Sequence, residues 1–456
     1  MNRYETFRGK YPVFIYKSFK ITENEDNIEI NYEFSIPELA DFKPSWVFPK
    51  PDVTVSDDLI FKNLVFSLGM AEAVSYWKAV CSPEFRIECG TLSPEQVQWW
   101  KKLYFMGLGE FFYVNGINAD FNNFIEIKSC GSFSGENIKR PELSGCLVPV
   151  GGGKDSALTL ETLTRAGEKC RCYGINKRNS ITKTVTTARL PENALITAQR
   201  KFDRSLIEYN KKGFLNGHTP FSSVVAFSAE ITAYLHRLKY IVLSNESSAN
   251  ESTVIGQNVN HQYSKSFEFE RDFHEYEEKY LKTGIYYFSF LRPLSEFQIA
   301  GMFSVHRKYL SVFRSCNLGG KVSPDIWCGE CPKCLFVSLI LSPFLTDDEL
   351  TGIFGKDLLN DKSMTEYFTE LIGKSEHKPF ECVGSVDEVN LAVSLAIRKR
   401  DGEKLPLLFE RYKEQGFYNP ENLDEKYNEY CKYFSSENLL PESFRKILLN
   451  EMERLF

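Results

Sequence analysis

The sequence predicts an α/β protein built around a parallel sheet, and three observations carry that expectation. From Cys146 onward short apolar runs alternate with helical stretches, the pattern of crossover units on a parallel sheet. A run of three glycines, Gly151, Gly152 and Gly153, stands between one such run and a helix-forming segment. With 43% hydrophobic and 14% aromatic residues in 456, the chain has the composition of a packed globular protein of two or three domains.

Taken in order, residues 1–145 read as a mixed α+β domain. Asn27–Tyr32 alternates as a strand does. Ser93-Pro94-Glu95-Gln96 is a helix start with a capping serine, an early proline and a glutamine to close the box. Val97, Trp100, Tyr104 and Leu108 follow at helical spacing as a buried face, and the polar stretch Gly131–Gly145 reads as a linker. Residues 146–345 form the α/β domain. Its strand candidates are Leu147–Val150, Cys170–Ile175, Ala194–Thr197, Tyr240–Leu243 and Tyr286–Phe290; Ala157–Arg165, Asp203–Lys211 and Ser222–Leu238 read as helices. Residues 346–456 read as mainly helical, with a second capping box at Ser385–Glu388.

Bulk properties narrow the class of function. The net charge of −6 supplies no general basic field, so no nucleic-acid partner is expected. Charged residues break up the first twenty positions and no apolar run approaches a membrane span, so a soluble cytoplasmic protein is expected. The twelve cysteines are scattered through helical and strand-like segments, which favours metal ligation and reduced thiols over disulfides.

Gly151, Gly152, Gly153, Lys154, Asp155 and Ser156 are the most informative run. Glycine lets the backbone approach an anion, and the first N–H groups of a helix lack internal partners. A strand, a glycine turn and a helix start therefore make a phosphate cradle, to which Lys154 and Ser156 add a charge and a hydroxyl. The spacing is not that of a Walker A loop or a dinucleotide fingerprint. It resembles the S-G-G-x-D-S pyrophosphate loop of enzymes that split ATP into AMP and pyrophosphate, with Gly151 in place of the first serine.

Downstream, Cys328, Cys331 and Cys334 lie at two-residue spacing, with Cys316 just before them. Four thiolates complete a tetrahedral zinc site, and structural Zn2+ is the favoured reading; an iron–sulfur cluster also uses four thiolates, so spacing alone does not name the metal. The arrangement is similar to the zinc knuckle of 7-cyano-7-deazaguanine synthases, themselves pyrophosphate-loop enzymes. Three further stretches are rich in polar residues: Asn216–Pro220, Ser244–Glu251 and Asn258–Ser266. If the last is helical, His261, Lys265 and Glu268 share a face, which would otherwise serve as a solvated, self-paired surface.

Taken as an ordered series, Arg86–Glu88, Gly107–Phe111, Gly151–Ser156, Asn216–His218, Ser244–Glu246, Asn260–Ser266, Arg292–Glu296, Trp327–Cys334 and His377–Gly384 resemble the bacterial UDP-N-acetylmuramoyl-L-alanyl-L-glutamate epimerases, the MurL family. The resemblance implies a central adenine-nucleotide α-hydrolase-like (HUP) domain with a zinc knuckle. It also implies ATP- and Mg2+-dependent inversion of the terminal L-glutamate through an α-carboxyl adenylate, with release of AMP and pyrophosphate, for peptidoglycan synthesis. The substrate would be a UDP-N-acetylmuramoyl-dipeptide. On this reading Gly151–Ser156 hold the ATP phosphates and Asp155 organises magnesium. Inversion needs one group to remove the α-proton and another to return it on the opposite face. His261 and Lys265 are the first choices, with Glu246 and Cys382 behind them, and Arg292 or Lys378 as a partner for carboxylate or phosphate. The alternative is another pyrophosphate-loop adenylating enzyme, such as a 7-cyano-7-deazaguanine synthase-like nucleobase or tRNA modification enzyme. A zinc-stabilised interaction module without catalysis would leave the phosphate loop without a role.

Overall fold

The computed structural model describes residues 2–51, 54–55, 57–137, 142–250 (backbone alone at 249 and 250), 263–316, 326–375, 379, 381 and 383–455. Eleven strands join in one sheet: β1 (Val13–Glu23), β2 (Asn27–Ile36), β3 (Ala40–Phe42), β4 (Ser45–Pro49), β5 (Glu84–Ile87), β6 (Glu126–Ser129), β7 (Cys146–Pro149), β8 (Cys170–Ile175), β9 (Leu195–Lys201), β10 (Tyr240–Leu243) and β11 (Tyr286–Ser289). The order across it is β11-β10-β7-β8-β9-β4-β2-β1-β5-β6, with β3 paired to β2. The five strands β7 to β11 are mutually parallel. From β7 the chain first builds outward through β8 and β9, then returns to build β10 and β11 on the other side.

These five strands agree with the apolar runs expected from sequence, and the physical reason is burial on both faces. Successive residues point to opposite sides: Leu147 and Ile241 join one core with the helix Phe221–Leu235, whereas Val148 and Val242 join a second core with the helix Lys154–Arg165. The helices Glu296–Val305, Pro332–Leu341 and Val386–Lys399 extend the second core, so the mainly helical C-terminal region covers that face of the sheet.

One feature of the sheet differs from a simple succession of domains. β9 runs to Lys201, past the apolar stretch, because its polar end pairs antiparallel with β4: Ser45 opposite Lys201, Trp46 opposite Arg200, Val47 opposite Gln199. Arg200 crosses that seam to the buried Glu72 at 2.7–3.2 Å, and Trp46 Nε1 donates to the same carboxylate at 3.2 Å. The sheet is therefore continuous between residues 1–145 and the parallel core. The helix expected to reach Leu238 stops at Leu235, where Arg237 takes a left-handed conformation (φ +57°). Among the described residues no helix is long and apolar enough to cross a membrane.

Candidate functional site

The glycine run sits at the C-terminal end of β7, and Ser244–Glu246 sits at the C-terminal end of the neighbouring β10. This is where the building direction of the sheet reverses, the place at which open parallel sheets bind ligands. Gly152 has φ +89°, and a Cβ there would come within 2.6 Å of Ser180 Oγ and 2.7 Å of its Cβ. Only glycine fits that position without displacing the helix Asn179–Thr187. The Gly152 carbonyl accepts from the Arg314 backbone N–H at 2.6 Å, tying the loop to the segment that leads into Cys316. Gly153 caps the helix Lys154–Arg165 and has no side chain with which to bond the N–H groups of its first turn.

A cavity of about 880 Å³ opens above this loop. Its walls are Gly151, Gly153, Asp155 and Ser156 on one side, Arg178 and Ser180 after β8, Ser244 to Glu246 after β10, and Arg314 to Cys316. The buried hydroxyls of Ser244 and Ser315 have no hydrogen-bond partner among the described residues. Buried polar groups are ordinarily satisfied, so hydroxyls left over on the wall of a polar cavity, beside a glycine loop that a Cβ would fill, suit a phosphate-bearing ligand.

Beneath the loop Lys154 is buried at 2% exposure, and its ammonium bonds to the carboxylates of Asp155 and Glu296. Burial opposes the charge on Lys154, but the two carboxylates outweigh it and hold the lysine pKa above its ordinary value. Burial pushes Glu296 upward, with Lys154 offsetting part of the shift and Asp155 and Glu246 adding to it. Carboxylate oxygens of Asp155, Glu246 and Glu296 lie within 4.8 Å of one another, an oxygen-donor set of the kind magnesium takes.

The four cysteines converge. Sulfur–sulfur separations are 3.3 Å for Cys316–Cys328, 3.7 Å for Cys316–Cys331, 3.6 Å for Cys328–Cys334 and 3.5 Å for Cys331–Cys334. A tetrahedron with metal–sulfur bonds of ~2.3 Å has edges of ~3.8 Å, whereas a disulfide needs about 2.05 Å. The donor set suits a closed four-thiolate metal site. Cys316 also lines the cavity, so the cluster stands directly behind the glycine loop.

The remaining residues singled out from sequence fall into three groups. Lys265 and Glu246 face the cavity. Lys265 ends a short 3-10 turn, Tyr263–Lys265, after which Ser266 caps a separate helix, Phe267–Tyr276. Lys265 and Glu268 are therefore not on one continuous helix, and Glu268 pairs instead with Lys102 at 2.7 Å. Arg292 is wholly buried; its guanidinium bonds Glu270 at 3.0 and 3.1 Å, the Glu246 carbonyl at 2.5 Å and the Lys265 carbonyl. It holds those two cavity segments in place through their backbones. His261, His377, Lys378 and Cys382 lie outside the described residues.

Two groupings near the site bring together residues to which the sequence assigns no such role. Glu296, the last residue of the stretch Arg292–Glu296, follows the capping Ser295 in the structure and belongs to the acidic group around Lys154. Lys78, buried at the end of the helix Leu59–Trp77, donates to the Gly217 carbonyl, while His218 Nδ1 lies 3.4 Å from Glu110. Gly217 has φ +153°, and a Cβ there would stand 3.2 Å from Phe111, which explains the glycine between Asn216 and His218. Three residues on, Phe221 reaches the wall of the large cavity.

Fold and site together define an α/β protein with a glycine-loop cavity at the switch point of a parallel sheet, backed by a four-cysteine cluster. Family models for the MurL N-terminal domain and the MurL C-terminal domain match residues 5–290 and 312–424. A protein of Salinispora tropica is 36% identical over 358 residues, 76% of either chain. Proteins of Xanthomonas oryzae pv. oryzae and a Micromonospora species are each 33% identical, covering 72% and 79% of this chain and 73% and 80% of their own. All three relatives are named UDP-N-acetyl-alpha-D-muramoyl-L-alanyl-L-glutamate epimerase. The chain belongs to the MurL family. No solved structure matches it.

Proposed function

We propose that this protein inverts the α-carbon of the terminal glutamate of UDP-N-acetylmuramoyl-L-alanyl-L-glutamate, with ATP as co-substrate. The observation that carries the reading is the shared name of three relatives that align over most of the chain. The cavity supplies a physical rationale. A free carboxylate resists formation of a carbanion beside it, because two negative charges would adjoin. Joining that carboxylate to an adenylyl group removes its charge and lets the carbonyl accept electron density.

In the proposed sequence the α-carboxylate oxygen attacks the α-phosphorus, the bond to the bridging oxygen breaks, and pyrophosphate leaves. Gly151 to Gly153, Ser156, Ser244 and Ser315 would hold phosphate oxygens, while Asp155 would organise magnesium beside them. One group then removes the α-proton and another returns a proton on the opposite face. Lys265, on the cavity wall, and Glu246 are the described candidates for this pair; His261 and Cys382 complete the set. Water finally cleaves the acyl–phosphate bond and releases AMP. The cysteine cluster would hold Zn2+ in a structural role, since four thiolates leave no open position.

The test supplies the purified protein with the UDP-N-acetylmuramoyl-dipeptide and ATP–magnesium, and assays glutamate stereochemistry and pyrophosphate together. D-glutamate formation that requires ATP supports the reading. Pyrophosphate release with retained L-glutamate would mean an adenylating enzyme that passes the carboxyl to another acceptor.

A further inference from the structure

A second cavity, of about 360 Å³, adjoins the first. Two chain segments pass from one to the other, and a third joins the small cavity to the acidic group. Glu246 lines the large cavity and Ser247 and Ser248 the small one; Ser295 lines the small cavity and Glu296 belongs to the acidic group by the phosphate loop; Glu381 lines the large cavity and Ser385 the small one. The small cavity is thus one wall away from the expected site of chemistry.

Its chemistry is distinctive. Two helices, Glu296–Val305 and Val386–Lys399, start at its edge, and Glu388 joins them: one carboxylate oxygen accepts from Glu296 N–H at 2.5 Å, the other from Ser385 N–H at 2.7 Å. Ser248 is 6% exposed, lines the cavity, and its hydroxyl has no partner among the described residues. Tyr430 and Tyr433 line it as well, as do the exposed Glu429 and Glu437. The described lining contains no lysine, arginine or histidine.

We propose that this cavity is the subsite for the N-acetylmuramoyl sugar, an inference that rests on the reaction proposed above. Carboxylates and hydroxyls without a cation suit a neutral ring whose hydroxyl and amide groups donate hydrogen bonds, and aromatic residues in the lining suit the apolar side of such a ring. The same carboxylates disfavour a diphosphate, which directs the UDP end outward. The length also agrees. In the substrate one alanine, ~3.6 Å at most, and the lactyl group separate the sugar from the glutamate, so the two must occupy adjoining pockets.

The experiment compares wild type with Tyr433→Ala, which removes an aromatic ring, and Ser435→Trp, which fills the cavity from its rim. Melting temperatures identify a variant that fails to fold, and the other then decides. Both variants should raise KM for the nucleotide-sugar dipeptide at least tenfold while leaving KM for ATP unchanged. Direct titration with UDP-N-acetylmuramic acid, which lacks the dipeptide, should show the same loss, and titration with UDP none. Unchanged KM and unchanged titrations in a folded variant overturn the proposal. Equal loss of UDP binding also overturns it, because the cavity then takes the nucleoside. The underlying reaction is judged separately on wild type: absence of any ATP-dependent turnover there would remove the reaction and this subsite with it.

Discussion

Gly152 and Lys154 show how tightly the loop is specified at the level of single residues. Gly152→Ala must adopt a left-handed conformation and place a methyl against Ser180, so we expect a destabilisation of about 1–3 kcal/mol and at least a tenfold rise in KM for ATP. Thermal melts and initial rates check both. Glu296→Ala leaves the buried Lys154 ammonium with Asp155 alone, and removing one partner of a buried ion pair costs about 3–5 kcal/mol. Lys78 yields a pH prediction. Burial pulls its pKa down to about 8, with Cys81 and Glu110 opposing. Below pH 8 the folded state carries the full cost of a buried ammonium. Between pH 8 and its unfolded value of 10.5 the folded state has released the proton while the unfolded chain still holds it, so stability rises with pH. Chemical denaturation across that window should show wild type gaining on Lys78→Met by at most about 3 kcal/mol. At this scale the sequence was legible where the groups are contiguous, as in the strand–glycine turn–helix placement of Gly151–Ser156 and the convergence of Cys328–Cys334. It was not legible where partners meet only through the fold: Glu296 reaches Lys154 across 142 positions.

Elements account for how those residues are presented. The parallel strands were readable because both faces are buried, so apolar runs mark them directly. The end of β9 was not, because Gln199–Lys201 are held by pairing with β4 and not by a core. The stretch around Lys265 shows the opposite problem: its polar periodicity suits one helix, but Ser266 accepts from Phe269 N–H at 3.2 Å and starts a new one. Two predictions belong here. Glu388→Ala removes the acceptor shared by two helix starts, and at about 1 kcal/mol per cap the loss should approach about 2 kcal/mol in a thermal melt. Cys331→Ser should lower bound metal, measured by elemental analysis. It should also weaken ATP binding severalfold, because Cys316 continues the segment whose Arg314 holds the Gly152 carbonyl.

For the whole molecule, the continuous sheet makes residues 1–145 part of the same framework as the parallel core. The Glu72–Arg200 bridge and the β4–β9 seam fix one against the other. The cluster of Lys78, Glu110 and His218 is built across that junction and sits at the start of the helix Phe221–Leu235, whose first residue reaches the large cavity. Loop, acidic group, cysteine cluster and the adjoining small cavity thus gather at one end of the parallel strands, where the proposed coupling of adenylyl transfer with chemistry at a neighbouring carbon would take place. The most direct test of that coupling is proton NMR of the glutamate α-position in heavy water, with the UDP-N-acetylmuramoyl-dipeptide, magnesium and metal-replete protein, with and without ATP. Deuterium entering the α-position only when ATP is present, together with pyrophosphate release, is the predicted result. Exchange that proceeds equally without ATP would contradict the account, since the carboxylate would then need no activation.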